Sequence, residues 1–274
     1  MEELARLVRT KLGTQGTQGM PTFRTGSLSS QRNRLLQGIE ADRVVSPQRD
    51  ATNPESVPLS RTPSLVVSSA WYPLVGTAAL ELAPRPLHEQ IQQFANEALS
   101  VGCNQVQLLP LFLLPGVHVM EDIPREVALA LASLGQAVVL NQQPHVGAHS
   151  GLVRILASQL ATIDTEAKIL LSHGSRRPGG NEVVAAVAEQ LGAVVAYWSV
   201  KPTLEEQLNT LAAAGHKRIA ILPYFLFSGG ITDAIAKMVT SLQEQFPTLQ
   251  LTLAQPIGAS PELADMIVDL IEEK

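Results

Sequence analysis

A long internal repeat constrains this chain more than any other feature. GCNQVQLLPLFLLPG, beginning at Gly102, lines up with GHKRIAILPYFLFSG, beginning at Gly215, at a constant shift of 113 residues. That shift sets Pro110 on Pro223, Phe112 on Phe225 and Gly116 on Gly229. Upstream, LELAPRPLHEQI matches YWSVKPTLEEQL at a shift of 117 and sets Glu81 opposite Trp198. Downstream, NQQPHVGAHSGL matches LAQPIGASPEL with a one-residue slip near His145, and MEELARLVRTKLG matches EVVAAVAEQLG, ending at Gly192. Self-similarity on this scale means that one supersecondary unit is present twice.

The unit is α/β. Apolar strand-like runs (SLVVSSAW, QVQLLPLFLL, AVVLNQQ, KILLSH, AVVAYWSV, RIAILPYFLF, LQLTLAQP) alternate with helical patterns such as LHEQIQQFANEALSVG, GLVRILASQLATI, NEVVAAVAEQLG, TLEEQLNTLAAAG and ELADMIVDLIEE. Strands alternating with helices predict a parallel sheet joined by right-handed crossovers. We expect a first lobe over 1–13 plus 63–160 and a second over 161–274. Between them, residues 14–62 are rich in Ser, Thr, Gln, Gly and Pro. Such a composition buries too little apolar surface to offset the entropy of ordering, so this segment reads as a mostly disordered insertion with room for a short helix in RNRLLQGIEADRVV.

The repeat also exposes a gap. In the second copy the helix follows KILLSHGSRRPGGN, a strand running into HGSR and a Gly-rich turn, whereas the matching histidine of the first copy would fall several residues before Met1. Loss of an opening strand would strip hydrogen-bond partners from a parallel sheet and expose apolar surface. The expectation is therefore that the missing strand lies upstream of this start.

Bulk properties exclude several functions. A net charge of -5 with 16% charged residues offers no field for nucleic acid, and a 4% aromatic share offers no stacking platform. The single cysteine, Cys103, rules out a disulfide framework or a Cys-ligated metal cluster within the chain. No segment approaches the apolar length of a membrane span and the N-terminus has no signal-peptide pattern, so a cytoplasmic, non-membrane protein is expected.

The chemistry concentrates in LLPLFLLPGVHVMEDIP, residues 108–124, where a continuous apolar run ends in Gly116, His118, Glu121 and Asp122. Such a run suits a strand buried on both faces, and in open parallel sheets ligands bind at the loops leaving the strand C-termini. His118 thus stands as a candidate ligand, although a loop histidine bonded to a backbone carbonyl fits the bare residues equally well. Glu121 and Asp122 read as caps of the following helix.

HGSR, LELAPRPL, LPLFLLPGVHVMEDIP and PYFLFSGGITDAI together resemble the CbiX-type sirohydrochlorin chelatases, the class II chelatases that insert cobalt or iron into sirohydrochlorin. The resemblance covers nearly everything outside 14–62. It implies two tandem chelatase-like lobes, flavodoxin- or Rossmann-like and three-layered, with parallel sheets facing a cleft. It also implies a metal site made by the histidine of HGSR, the glutamate of LELA and the histidine of GxHVxxDIP. On this chain the last two are Glu81 and His118, carrying metal and proton chemistry. The first would lie upstream of Met1, and its second-lobe equivalent is His173, whose partners there have become Trp198 and Ile231.

Those residue types suit the reaction. Imidazole binds Co and Fe, a carboxylate both ligates and accepts a proton, and a site with few ligands can release its ion to the macrocycle. The expected substrates are a divalent ion, Co2+ or Fe2+, and the tetrapyrrole, with no organic cofactor and no nucleic-acid or membrane partner. Substrate contacts are expected from Gly116 and from Gly174, Ser175 and Arg176, because the HGSRRPGGN loop presents backbone N–H groups, a helix N-terminus and two arginines to the carboxylates of sirohydrochlorin. A solvated Glu81, a vestigial His173 and solvated arginines are the alternatives. His145 and His149 lie near the next strand end and are kept outside the core site, while His88 and His216 read as helix-surface residues and Cys103 as core. The competing function is a catalytically impaired homologue that binds metal or tetrapyrrole. A periplasmic-type binder is disfavoured by the missing signal peptide. Because one chain supplies both lobes, a monomer or weak dimer is expected.

Overall fold

A computed structural model describes residues 1–15 and 73–272. The polar segment beyond Gln15, its expected short helix and the SLVVSSAW strand lie outside the described residues. The elements in chain order are α1 (Glu2–Gln15), α2 (Leu87–Ser100), β1 (Gln105–Leu108), α3 (Ile123–Leu134), β2 (Val139–Gln142), α4 (Gly151–Ala161) and β3 (Ala167–Ser172). They continue with α5 (Glu182–Leu191), β4 (Val194–Tyr197), α6 (Leu204–Ala213), β5 (Arg218–Pro223), α7 (Gly230–Gln245), β6 (Gln250–Leu253) and α8 (Pro261–Glu272).

Both sheets are wholly parallel. The second lobe carries four strands in the order β4-β3-β5-β6, and the first carries β1 beside β2. Local chemistry sets the helix ends. Thr203 and Glu206 form a reciprocal capping box that starts α6, and Gly192, at φ +60°, ends α5 in the left-handed conformation that a Cβ disfavours.

Side-chain alternation along β3 divides the core. Ile169 and Leu171 face Leu204 and Leu208 of α6 and Ile235 and Val239 of α7. Leu170 faces the other way, into a cluster with Val184 of α5 and Leu263 of α8. The second lobe is therefore a three-layer sandwich of helices, sheet and helices. Leu4 and Val8 of α1 and Leu152 and Leu156 of α4 join that same cluster, so the two lobes share one apolar core. A Lys11–Asp265 ion pair reinforces the contact of α1 with α8.

The first lobe matches the second only in part. The repeat pairs residues 77–80 with β4, yet this segment forms no strand. In the second lobe β4 bonds to β3 alone, and the first lobe has no counterpart of β3 among the described residues. Without a ladder to join, the segment is held by a side chain. Gln90 on α2 accepts from the Ala79 N–H at 3.0 Å and donates to the Ala79 carbonyl at 2.9 Å.

Candidate metal-binding site

The loop leaving β1 is tied down by the loop leaving β2. Val146 donates to the Pro110 carbonyl at 3.0 Å and Gly147 to the Phe112 carbonyl at 2.9 Å. The approach is so close that a Cβ on Gly147 would sit 2.0 Å from the Leu113 carbonyl oxygen. The chain then turns at Gly116, whose carbonyl accepts from Val119 at 3.1 Å and Met120 at 3.0 Å. Residues His118–Asp122 form a single π turn, closed by the Ile123 N–H on the His118 carbonyl, and α3 follows. Buried Val119 anchors this turn, and His118 at its start is half-buried. Turns of this kind are frequent at functional sites.

Glu81 arrives from the other side, just after the segment pinned by Gln90. Leu82 beside it adopts φ +60° and is fully exposed, a left-handed conformation that costs a non-glycine residue roughly 1 kcal/mol or more. Glu81 Oε1 lies 4.0 Å from His118 Nε2, with side-chain exposures of 69% and 43%. That distance is too long for a hydrogen bond but is within reach of two donors each about 2.1 Å from a common ion. The His118 ring packs against Phe112, with centroids 5.8 Å apart and planes inclined by 44°. Gly116 is adjacent, and nothing lies within 4 Å of where its Cβ would stand.

Asp122 departs from its expected role. It occupies the N-cap position of α3, but its carboxylate makes no capping bond. Oδ2 instead meets His118 Nδ1 at 2.9 Å, and Oδ1 accepts from Arg125 at 3.0 Å. An N-cap signature and a histidine four residues before an aspartate look alike in sequence until the rotamer is known.

In the second lobe His173 is exposed, and its Nδ1 lies 2.9 Å from the Gly174 carbonyl. Gly174, at φ +83°, lies against Tyr197 and Val200 so closely that a Cβ would stand 2.7 Å from Val200 Cγ2. The loop satisfies much of its own polarity. Ser175 N–H donates to Asn181 Oδ1 at 2.8 Å and Arg177 N–H to Ser175 Oγ at 3.1 Å. Arg176 and Arg177 are exposed and form no ion pair among the described residues. The backbone sets Trp198 beside His173, since Trp198 N–H donates to the Ser172 carbonyl and Ser199 N–H to the His173 carbonyl, both at 2.9 Å. No hydrogen bond or ion pair joins His173 to Glu81 or His118 among the described residues.

The remaining histidines have other partners. His149 Nδ1 accepts from the Gly151 N–H at the start of α4 at 3.0 Å, while its Nε2 lies 3.8 Å from Asp269 of α8. Burial pushes His145 below the usual histidine range. His88 is not a free surface residue: its Nδ1 lies 2.8 Å from Glu126 on α3, and these contacts hold Glu126 below the ordinary carboxylate range. Cys103 is partly buried beside the core of the first lobe. Among the described residues no helix is long and apolar enough to cross a membrane.

Two parallel α/β lobes on one core, with a carboxylate and an imidazole converging at the loops of one of them, define an α/β protein with its candidate site at strand C-termini. The chain belongs to the CbiX family, whose model matches it twice, over residues 64–163 and 167–274. A sirohydrochlorin cobaltochelatase of Priestia megaterium is 26% identical over 216 residues, covering 73% of this chain and 69% of its own. A sirohydrochlorin ferrochelatase of the same organism is 25% identical over 208 residues, covering 71% and 76%. Among solved structures, SirB from Bacillus subtilis with Fe3+ superposes with a TM-score of 0.59 at 20% identity, over 71% of this chain and 79% of that one. At that identity the likeness speaks for the chelatase fold.

Proposed function

We propose that the chain is a sirohydrochlorin chelatase, a lyase inserting Co2+ or Fe2+ into sirohydrochlorin on the way to cobalamin or siroheme. The observation that carries this reading is the Glu81–His118 pair, with Oε1 and Nε2 4.0 Å apart in an exposed setting. Membership of the CbiX family and relatives of both metal preferences support it. The metal is a substrate, and the reaction needs no organic cofactor.

His118 Nε2 and the Glu81 carboxylate hold the incoming ion with few bonds, so the pyrrole nitrogens can displace them one at a time. Glu81, exposed and next to the ion, accepts a proton as the macrocycle loses its N–H groups. Gly116, Gly174, Ser175, Arg176 and His173 serve the substrate side, where the arginines meet its carboxylates. One chain supplies both lobes, over 1–13 plus 63–160 and over 161–274, which suits a monomer or weak dimer in the cytoplasm. A second reading, a binder without turnover, draws on one observation: no group of three or more candidate ligands is present among the described residues.

Anaerobic absorption spectroscopy with sirohydrochlorin and Co(II) or Fe(II) separates the two. The chelatase reading expects the chain to accelerate the spectral change over buffer, His118→Ala to slow it by about 100-fold or more, and His173→Ala to slow it only partly. Ion binding without acceleration favours the binder, and full turnover by His118→Ala overturns the site.

A further inference from the structure

The carboxylate closest to His118 is not the one that shares its open side. Asp122 Oδ2 lies 2.9 Å from Nδ1, whereas Glu81 lies 4.0 Å from Nε2. Asp122 is also the better shielded of the two acids, with its side chain 22% exposed against 69% for Glu81. It stands at the start of α3 yet gives the helix no capping bond, and its second oxygen is taken by Arg125 at 3.0 Å. Asp122 itself is helical, at φ -69° and ψ -49°, within the continuous run of π turn and α3, so its carboxylate is free to turn to the ring.

We infer that Asp122 is the positioning residue of His118, an inference that rests on the reading of His118 as a ligand of the incoming ion. An ionised carboxylate is an acceptor only, and with Arg125 donating to one oxygen the other accepts from the histidine ring. The ring proton is therefore held on Nδ1, and the lone pair is left on Nε2, the nitrogen on the side of Glu81. The π turn makes this possible within one segment, because it places residues 118 and 122 on the same side of a single turn. Phe112, 5.8 Å away between centroids, supports the ring from another direction. The result is an imidazole fixed in tautomer and orientation before the ion arrives. Hydrogen-bonded partners of ligating histidines commonly act in this way, and their loss costs about 10- to 100-fold in metal affinity or activity.

The alternative is that the pair merely staples the turn. Two variants of the full chain, Asp122→Ala and Asp122→Asn, separate the readings. The asparagine variant keeps the shape and carries the test should the alanine variant fail to fold. The first readout is the His118 tautomer from long-range nitrogen–proton correlation spectra, with the resonance assigned by its absence in His118→Ala. The wild type is expected to show the Nδ1–H form, and Asp122→Asn a mixture with the Nε2–H form, because the amide can donate as well as accept. The second readout is Co(II) affinity by competition titration, expected to fall about 10- to 100-fold in Asp122→Asn. If Asp122→Asn keeps the wild-type tautomer and Co(II) affinity while His118→Ala loses the ion, the positioning role is overturned and the ligand assignment stands. If His118→Ala binds Co(II) as the wild type does, the ligand reading itself fails.

Discussion

Tyr224, directly after β5, is 3% exposed, and its hydroxyl has no hydrogen-bond partner among the described residues. Burial pushes its ionisation up to about 12, so the group stays neutral at any physiological pH. A buried hydroxyl without a partner bears a desolvation cost that a phenyl ring avoids. Tyr224→Phe is therefore expected to raise stability by about 1 kcal/mol, read from the denaturant midpoint at unchanged slope. A lower midpoint would mean that a partner such as a buried water satisfies the hydroxyl. At this scale the sequence was informative about identity and poor on pairing. Glu81 and His118 could be singled out by the resemblance of their segments to family motifs, because residue types are written in the chain, although Glu81 follows a segment that forms no strand. That Asp122 turns from the helix to the ring could not be read, because both outcomes use the same residue four positions on.

Elements were legible where periodicity was strong, and their seams were not. Among the described residues six of the seven apolar runs contain β1 to β6, and each quoted helical pattern became a helix. However, β1 ends at Leu108 with only Val106 buried, and the LPLFLL stretch expected to be a strand buried on both faces is loop, because Pro110 lacks an N–H for a ladder. What binds neighbouring elements acts across the chain. His88, read as a surface residue on α2, donates its backbone N–H to Glu126 Oε2 at 3.0 Å and lies 2.8 Å from the same oxygen through its ring. These bonds hold the Glu126 pKa below its ordinary 4.5, so below that pH the unfolded chain binds the extra proton and stability falls with pH. Glu126→Gln should be less stable than the wild type near neutrality, and the difference should shrink as pH drops below about 4.5. Urea midpoints at several pH values test this, and a constant difference would refute it. Gly147 is a second seam. With the Leu113 carbonyl 2.0 Å from its absent Cβ, Gly147→Ala must displace one of the two loops that frame His118. We expect a loss of about 1–3 kcal/mol together with weakened Co(II) binding, measured by thermal unfolding and metal titration. Binding and stability both unchanged would show that the loops separate freely.

For the whole molecule, the duplication makes its own prediction. In the second lobe Trp198 and Ile231, both partly exposed, stand at the repeat positions of Glu81 and His118. The ladder extension from Trp198 to Ser172 and from Ser199 to His173 sets residue 198 alongside the strand end that carries the remaining histidine. Restoring polar groups there, with Trp198→Glu and Ile231→His together, should create a second ion site around His173. Neither residue is in the deep core, so the cost in stability should be small, about 0.5 kcal/mol for each. Equilibrium dialysis with Co(II) should then rise from about one ion per chain to about two, and adding His173→Ala should abolish the gain. The weak point of the equivalence is also physical. His118 opens a π turn, whereas α7 begins as regular α-helix with Gly229 N–H bonded to Thr232 Oγ1 at 2.8 Å, so a histidine at 231 is presented at a different angle. A folded double variant that still binds one ion would therefore locate the function of the first lobe in its π turn rather than in its residue types alone.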